Sequence, residues 1–337
     1  MPVTIRDVAK RLNLSITTVS RALDGYDDVA EETRKQVERT AQEMGYVPSR
    51  IARQLRRKRS QAIGFIMPTE PPQYSDPFFD EFIAGMGKMA NDQNYDLLTS
   101  SAPPASSEEQ SIYQRWILAR RVDGFVLNRL RLNDWRVHYL AANDVPFVTM
   151  QRIDDDTSYA SIHVDGQGGI RKLVRLLHQR GHRRFAFIGG PPDLLIHLDR
   201  LQGYKDALID HGIQYDPDIT LNTNMTYDEG LEAGKKILLT QDPPSALLCI
   251  NDSTAIGVLD TARELGMKVG KDLVVTGFDG IRQGEHSVPS LTTLDQKIHR
   301  TASQLVQMLI QIILGSSVGA LERRLDPELV LRASTGD

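Results

Sequence analysis

The sequence predicts a small all-α head joined by a basic hinge to an α/β body of two parallel-sheet subdomains. Three observations carry that reading. Helical apolar periodicity fills three short segments near the N-terminus. From about residue 61 onward, β-rich runs alternate with helical ones in two successive series. The charge also changes sign between the two parts: residues 1–60 hold 13 Lys/Arg and 8 Asp/Glu, about +5, against a net charge of −4 for all 337 residues. A chain of this length exceeds a typical domain, so two or three compact units are expected. A basic head on an acidic body points to a polyanion partner for the head alone.

In the head, Ile5, Val8, Ala9 and Leu12 recur at i, i+3, i+4 and i+7, one face of a helix. Thr4 with Asp7 three residues on forms a capping-box-like start. The pattern breaks at Asn13, a residue that tolerates the left-handed turn that often ends a helix. Ser15 can then cap a second helix. At about 100° per residue, Thr17, Ser20 and Arg21 gather on one side of that helix, and Val19, Ala22 and Leu23 on the other. The hydroxyls of LSITTVSRALDG are thus segregated onto one polar face. A third helix is expected over EETRKQVERTAQEMG, with Val37, Ala41 and Met44 inward and Glu31 and Glu32 at its N-terminus. Two short helices joined by about three residues suit a helix-turn-helix, whose second helix enters the DNA major groove. Short hydroxyl side chains can hydrogen-bond phosphate there, while arginine reaches guanine O6 and N7. A bundle that merely docks protein is the alternative. The stretch PSRIARQLRRKRS, residues 48–60, then adds six basic groups and no acid.

In the body, AIGFIM, YDLLTSS, GFVLN and FVTM alternate with helical segments. A second series follows: ASIHVD, RFAFIGG, ALLCIN and LVVTGFDG. Such βαβ alternation argues parallel sheets covered by helices, and two series argue two subdomains. Ligands of open α/β sheets sit beyond the carboxyl ends of the strands. The residues there are polar and aromatic: Asp76 and Phe78, Arg152, Arg200, Asn251 with Asp252, and Asp279. Arginine with carboxylates and amides in one cleft suits a polyhydroxylated or zwitterionic small molecule.

Other functions find little support. The single cysteine, Cys249, lies in an apolar run and reads as a buried inert thiol. There is no P-loop, no G-x-S-x-G elbow and no G-x-G-x-x-G after a strand. His178 and His182 lack a zinc-site context, so no metal and no cofactor are expected. No activated nucleophile is evident, and catalysis is not expected. No apolar run approaches the roughly 18 residues that would cross a bilayer. MPVTIRDVAKRLNL carries scattered charges and no apolar block, so it is not a secretory signal and a cytoplasmic location is expected.

The head segments T-I-R-D-V-A-K-R-L-N-L-S-I-T-T-V-S-R-A-L-D-G and T-R-K-Q-V-E-R-T-A-Q-E-M-G-Y-V-P-S-R-I-A-R-Q-L resemble the lac repressor/purine repressor family of bacterial regulators. In the body, D-P-F-F, R-L-Q-G, I-N-D and G-F-D-G resemble that family's cleft segments. The resemblance implies that Ile16, Thr17 and Arg21 read bases, while Ser15, Thr18 and Ser20 position the helix on phosphate, with Thr4 beside them. It also implies a hinge helix that orders on DNA and wedges Leu55 into the minor groove. Arg50, Ala52, Arg53 and Arg56 would flank that wedge. An apolar wedge beside arginines is how proteins kink a minor groove. Asp76, Phe78, Arg200, Asn251 and Asp279 would line an effector cleft, with Arg152 and Gln296 as further candidates. Met225 sits where relatives often place a ring-stacking aromatic. Ala30 stands where many cap the third helix with serine.

The domains implied are a head at 1–47, a hinge at 48–60 and a body at 61–337 with the fold of periplasmic sugar-binding proteins. One subdomain would take about 61–160 and 291–320, the other about 161–290 and 321–337. The function implied is a homodimeric repressor binding a palindromic operator under control of a small effector. R-V-D-G-F-V-L-N-R and V-P-F-V-T-M-Q-R resemble regulators of α-glucoside and related sugar use, favouring a sugar. A corepressor such as a nucleobase is the alternative.

Overall fold

The computed structural model describes residues 3–23, 25–46, 59–69, 76–316 and 322–337, in two units, Met1–Ser60 and Gln61–Asp337. The hinge residues Arg50, Ala52, Arg53, Leu55 and Arg56 lie outside the described residues.

In the first unit, helix α1 (Ile5–Leu12) begins at the expected cap. The Asp7 carboxylate accepts the Thr4 backbone N–H at 2.8 Å and the Thr4 hydroxyl at 2.7 Å, which also holds Asp7 below the usual carboxylate range. The helix ends at Asn13, left-handed at φ 54°. Helix α2 (Ile16–Leu23) follows, its first turn capped by Ser15 Oγ, which accepts the Thr18 N–H at 2.9 Å. Helix α3 (Glu31–Glu43) starts at Ala30 with no side-chain cap. Val8, Val19, Ala22, Val37 and Ala41 are buried together, with Met44 packed against them. That cluster locks α2 across α1 and α3.

Among the described residues, the second unit contains two six-stranded sheets. Strands β1 (Ala62–Pro68), β2 (Asp96–Ala102), β3 (Gly124–Leu127), β4 (Phe147–Met150) and β5 (Ala160–Val164) belong to the first. Strands β6 (Phe185–Gly189), β7 (Thr220–Asn222), β8 (Ala246–Cys249), β9 (Val274–Asp279) and β10 (Thr292–Asp295) belong to the second. After helix Ile298–Ile313, β11 (Glu322–Leu325) returns to the first sheet and β12 (Glu328–Val330) closes the second. The orders are β11-β5-β4-β3-β1-β2 and β12-β10-β9-β8-β6-β7. Every pair is parallel except β10 with β12. Strands such as β3, β4, β6 and β8 are buried along their whole length, as parallel strands covered on both faces must be.

The three crossovers fall a few residues beyond the positions expected near 160, 290 and 320. The chain leaves the first lobe after Val164, returns after Asp295, and crosses again between Leu325 and Glu328. ASIHV, placed at the head of the second series, pairs instead with β4, Val148 opposite Ala160. Thr292–Asp295, assigned to the first lobe, pairs with β9, and Glu322–Leu325, assigned to the second, pairs with β5. Apolar patterning marks a strand. Its sheet is decided by which neighbouring edge offers unpaired backbone groups.

Helix Pro77–Asp92 packs on helix Ile298–Ile313 so closely that a Cβ at Gly85 would lie 2.2 Å from the His299 carbonyl oxygen. Gly85→Ala is therefore expected to lower the unfolding free energy by about 1–3 kcal/mol through overpacking. Urea titration should show a lower midpoint at an unchanged slope.

Candidate functional site

Both sheets reverse strand order at one place: between β1 and β3 in the first lobe, and between β6 and β8 in the second. Such switch points leave a crevice at the carboxyl ends of the strands. The chain after those four strands lines one cavity of about 660 Å³ between the lobes. Asp76 and Phe79 follow β1, Arg129 to Arg136 follow β3, Pro191 and Leu194 follow β6, and Ser253 follows β8. The volume suits a small-molecule ligand.

The wall is charged yet internally compensated. Arg129 donates to the Asp76 carboxylate and lies over the Phe79 ring at 4.7 Å. Asp76 also caps helix Pro77–Asp92, accepting the Phe78 N–H at 3.0 Å. Arg131 donates to Asp193. Arg136 is buried, with Nε 2.8 Å and Nη2 2.6 Å from the two Asp134 oxygens, and Nη1 3.6 Å from Glu109. Burial alone would push Asp134 up, but the hydrogen bonds and charge of Arg136 hold it below the usual carboxylate range. Trp135 Nε1 donates to Glu109 at 3.2 Å, fixing an aromatic at the wall, and Tyr227 adds another from the second lobe.

Beneath the wall lies a second polar layer. The Arg200 side chain is 5 % exposed; its guanidinium covers the Phe278 ring at 3.5 Å and donates to the Ile250 carbonyl. It stands 3.9 Å from Asp279, whose Oδ1 accepts the Gln296 amide at 2.6 Å. Burial pushes Asp279 well above the usual carboxylate value, and Arg200 pulls it back only in part. Asp279 also holds φ 138°, a strained backbone state for a residue with a side chain. Asn251 caps helix Asp252–Glu264 and donates to the Met225 carbonyl at 2.9 Å, which sets the left-handed Met225 at the cavity wall.

The structure thus brings Asp76 to the cavity and gathers Arg200, Asn251, Asp279 and Gln296 behind it. Two expected residues go elsewhere. Phe78 is buried and stacks on Phe82 at 5.5 Å, and its neighbour Phe79, also buried, borders the cavity beneath Arg129. Arg152 donates to the carbonyls of Thr157 (2.8 Å) and Tyr159 (3.0 Å), pinning its own loop. It follows β4, away from the switch point. Sequence reasoning missed the segment Arg129–Arg136 with Glu109. The run NRLRLNDWR directly after the third strand was the signal.

On the head, Ile16 is 45 % exposed, unusual for an isoleucine on a small domain, and Thr17 and Arg21 are exposed beside it. Arg21 rests 2.7 Å from Asp28 with Tyr26 at 5.2 Å. Thr18 and Ser15 share a hydroxyl hydrogen bond of 2.8 Å at the helix start. Ser20 corrects the expected polar face. It is buried at 7 %, next to Val19, because its position lies at the edge of the face that packs inward.

Residues 4–49 match the family model for bacterial regulatory proteins of the lacI family, and residues 174–335 match a periplasmic binding protein-like domain. The transcriptional repressor CytR of Escherichia coli (strain K12) is 32 % identical over 98 % of this chain and 96 % of its own length. The chain belongs to the lacI family. It is a DNA-binding transcriptional regulator, as lacI-family relatives are. The regulator AglR of Rhizobium meliloti (strain 1021) is 33 % identical over all of this chain and 95 % of its own. Among solved structures, the lac repressor dimer bound to operator and the anti-inducer ONPF superposes with a TM-score of 0.84 at 28 % identity, covering 99 % of both chains. The CelR–cellobiose complex gives 0.75 at 27 % identity, covering 98 % of this chain and 99 % of that one.

Burial of Asp252 pushes its carboxyl up to about 6, although Thr293 and the Ile281 and Gly280 N–H groups donate to it. A folded value above the unfolded one means that the folded state binds the extra proton. Asp252 thus contributes a penalty absent below pH 4 and complete above pH 6. The stability of the wild type relative to Asp252→Asn should therefore fall as pH rises from about 4 to 6, then level off. Chemical denaturation across that range measures it.

Proposed function

We propose that the chain is a cytoplasmic repressor that binds a two-fold operator as a homodimer and is controlled by a neutral saccharide held between the lobes. The observation that carries the effector class is the pairing of every cavity arginine named above with a carboxylate. Arg129, Arg131 and Arg136 face Asp76, Asp193 and Asp134. Among the described residues no net positive charge is left at the wall for a phosphate, whereas paired donors and acceptors beside Phe79, Trp135 and Tyr227 suit hydroxyl groups and apolar ring faces. The CelR complex holds cellobiose and the lac repressor dimer holds operator, which support the same reading here. Homodimer and two-fold operator go together geometrically, because operator symmetry mirrors protein symmetry.

In the head, Ile16, Thr17 and Arg21 form the base-reading surface, with Ser15 and Thr18 at its phosphate-facing end. Arg21 leaves Asp28 when it meets a base. Effector and operator influence each other reciprocally, since any coupling free energy is shared by the two sites.

The operator can be selected from random duplexes and then titrated by fluorescence anisotropy. Arg21→Ala is expected to weaken operator binding by about 10–100-fold and to flatten sequence preference. Equal affinity of mutant and wild type, or affinity unchanged between low and high salt, would contradict the assignment. Arg129→Ala should keep operator affinity while losing the change in that affinity on adding the effector sugar. A mutant that still responds fully would remove Arg129 from the site.

A further inference from the structure

Away from the crossovers, the lobes meet in a short strap at the cavity rim. Leu132 N–H donates to the Asp193 carbonyl at 3.0 Å, and Leu195 N–H donates to the Leu130 carbonyl at 2.9 Å. Arg131 and Leu194 thereby form an isolated antiparallel bridge between a segment of the first lobe and a segment of the second. The Arg131 guanidinium also donates to the Asp193 carboxylate.

Each half of the strap is fixed to its own lobe. Arg131 N–H donates to Asp134 Oδ2 at 3.1 Å, and Asp134 is locked by buried Arg136. On the other side, buried His197 accepts the Gly190 N–H at 3.1 Å through Nδ1, bracing the turn that carries Asp193. Rotation of one lobe against the other therefore strains the strap directly. The Arg131–Asp193 side chains are 27 % and 46 % exposed, so the ion pair is weak enough to be made and broken by a ligand.

Arg131 and Leu194 both line the cavity, whereas Asp193 does not. We propose that Asp193 is a positioning residue for the cavity's occupant. It holds Arg131 at the wall from the opposite lobe, so that a ligand engaging Arg131 binds this juxtaposition of the lobes and not one lobe alone. The inference deepens the effector reading above and rests on it. It also assigns the element through which occupancy is converted to lobe orientation: two backbone hydrogen bonds and one ion pair, all at the rim.

The test uses the intact chain. Hydrogen exchange of the Leu132 and Leu195 amides reports the strap, since such amides exchange when the local structure opens. Calorimetry with maltose, cellobiose, sucrose and trehalose reports binding. In the wild type the two amides should exchange at a common, slowed rate, and slow further in whichever sugar binds. Asp193→Ala should speed both and weaken that sugar by about fivefold or more, a typical coupling, with the melting temperature of the free protein nearly unchanged. Asp193→Glu should restore binding, which a merely structural loss would not predict. Wild-type sugar affinity in Asp193→Ala, or strap amides indifferent to bound sugar, would overturn the proposal. If none of the sugars binds, the effector reading fails. In that case the amides still decide the strap: fast exchange equal in wild type and Asp193→Ala overturns it.

Discussion

A guanidinium buried beneath the interlobe cavity sets the terms for everything around it. Arg200 has almost no contact with solvent, and burial drives its pKa down. Burying such a charge is costly unless it is paired and hydrogen-bonded. The fold answers with the Phe278 ring face, the Ile250 carbonyl and the nearby Asp279, which in turn takes the Gln296 amide. Gln296 follows β10 and Asp279 ends β9, so the compensation ties together the ends of two neighbouring parallel strands. The same rule repeats at the wall. Arg129, Arg131 and Arg136 are each matched by a carboxylate, and the result is a polar but nearly neutral surface.

Much of this was legible in the sequence because it rests on local rules. The capping pair Thr4–Asp7, the left-handed Asn13 and the inward stripe of Val19 and Ala22 follow from helix periodicity and cap chemistry. The two series of βα units, and the polar residues after their strands, follow from the same kind of pattern. The departures share one cause, which is that strand order is not local. All strand ends were weighted equally, but among the described residues the first lobe lines the cavity from the chain after β1, β2 and β3 and not from that after β4. That is why Arg152, after β4, serves its own loop, and why Arg129–Arg136, after β3, forms the wall. Phe78 and Phe79 are adjacent and both buried, and which of them borders the cavity depends on how helix Pro77–Asp92 packs onto its lobe. Ser20 shows the same limit on the head: an angular estimate places a residue near a boundary, and packing decides its side.

The head and body obey different electrostatic demands. The head must meet a polyanion, and the face proposed above to read bases keeps an arginine on a weak, half-exposed partner, Asp28, from which it can be released. In the body the cavity arginines are held by carboxylates, most firmly at the buried Arg136. Arg131 is the intermediate case, partly exposed and paired across the lobe boundary. That places the most easily broken of the cavity ion pairs where lobe orientation is felt.

The central claim is that the cavity recognises a neutral polyol through pre-paired charges. Calorimetric titration of the intact chain with maltose, cellobiose, sucrose and trehalose, alongside their phosphorylated counterparts, tests it most directly. The account predicts that at least one neutral disaccharide binds, and that its phosphorylated form binds at least about tenfold more weakly, since Arg129, Arg131 and Arg136 are each already paired with a carboxylate. Tighter binding of a phosphorylated sugar than of every neutral one would contradict it.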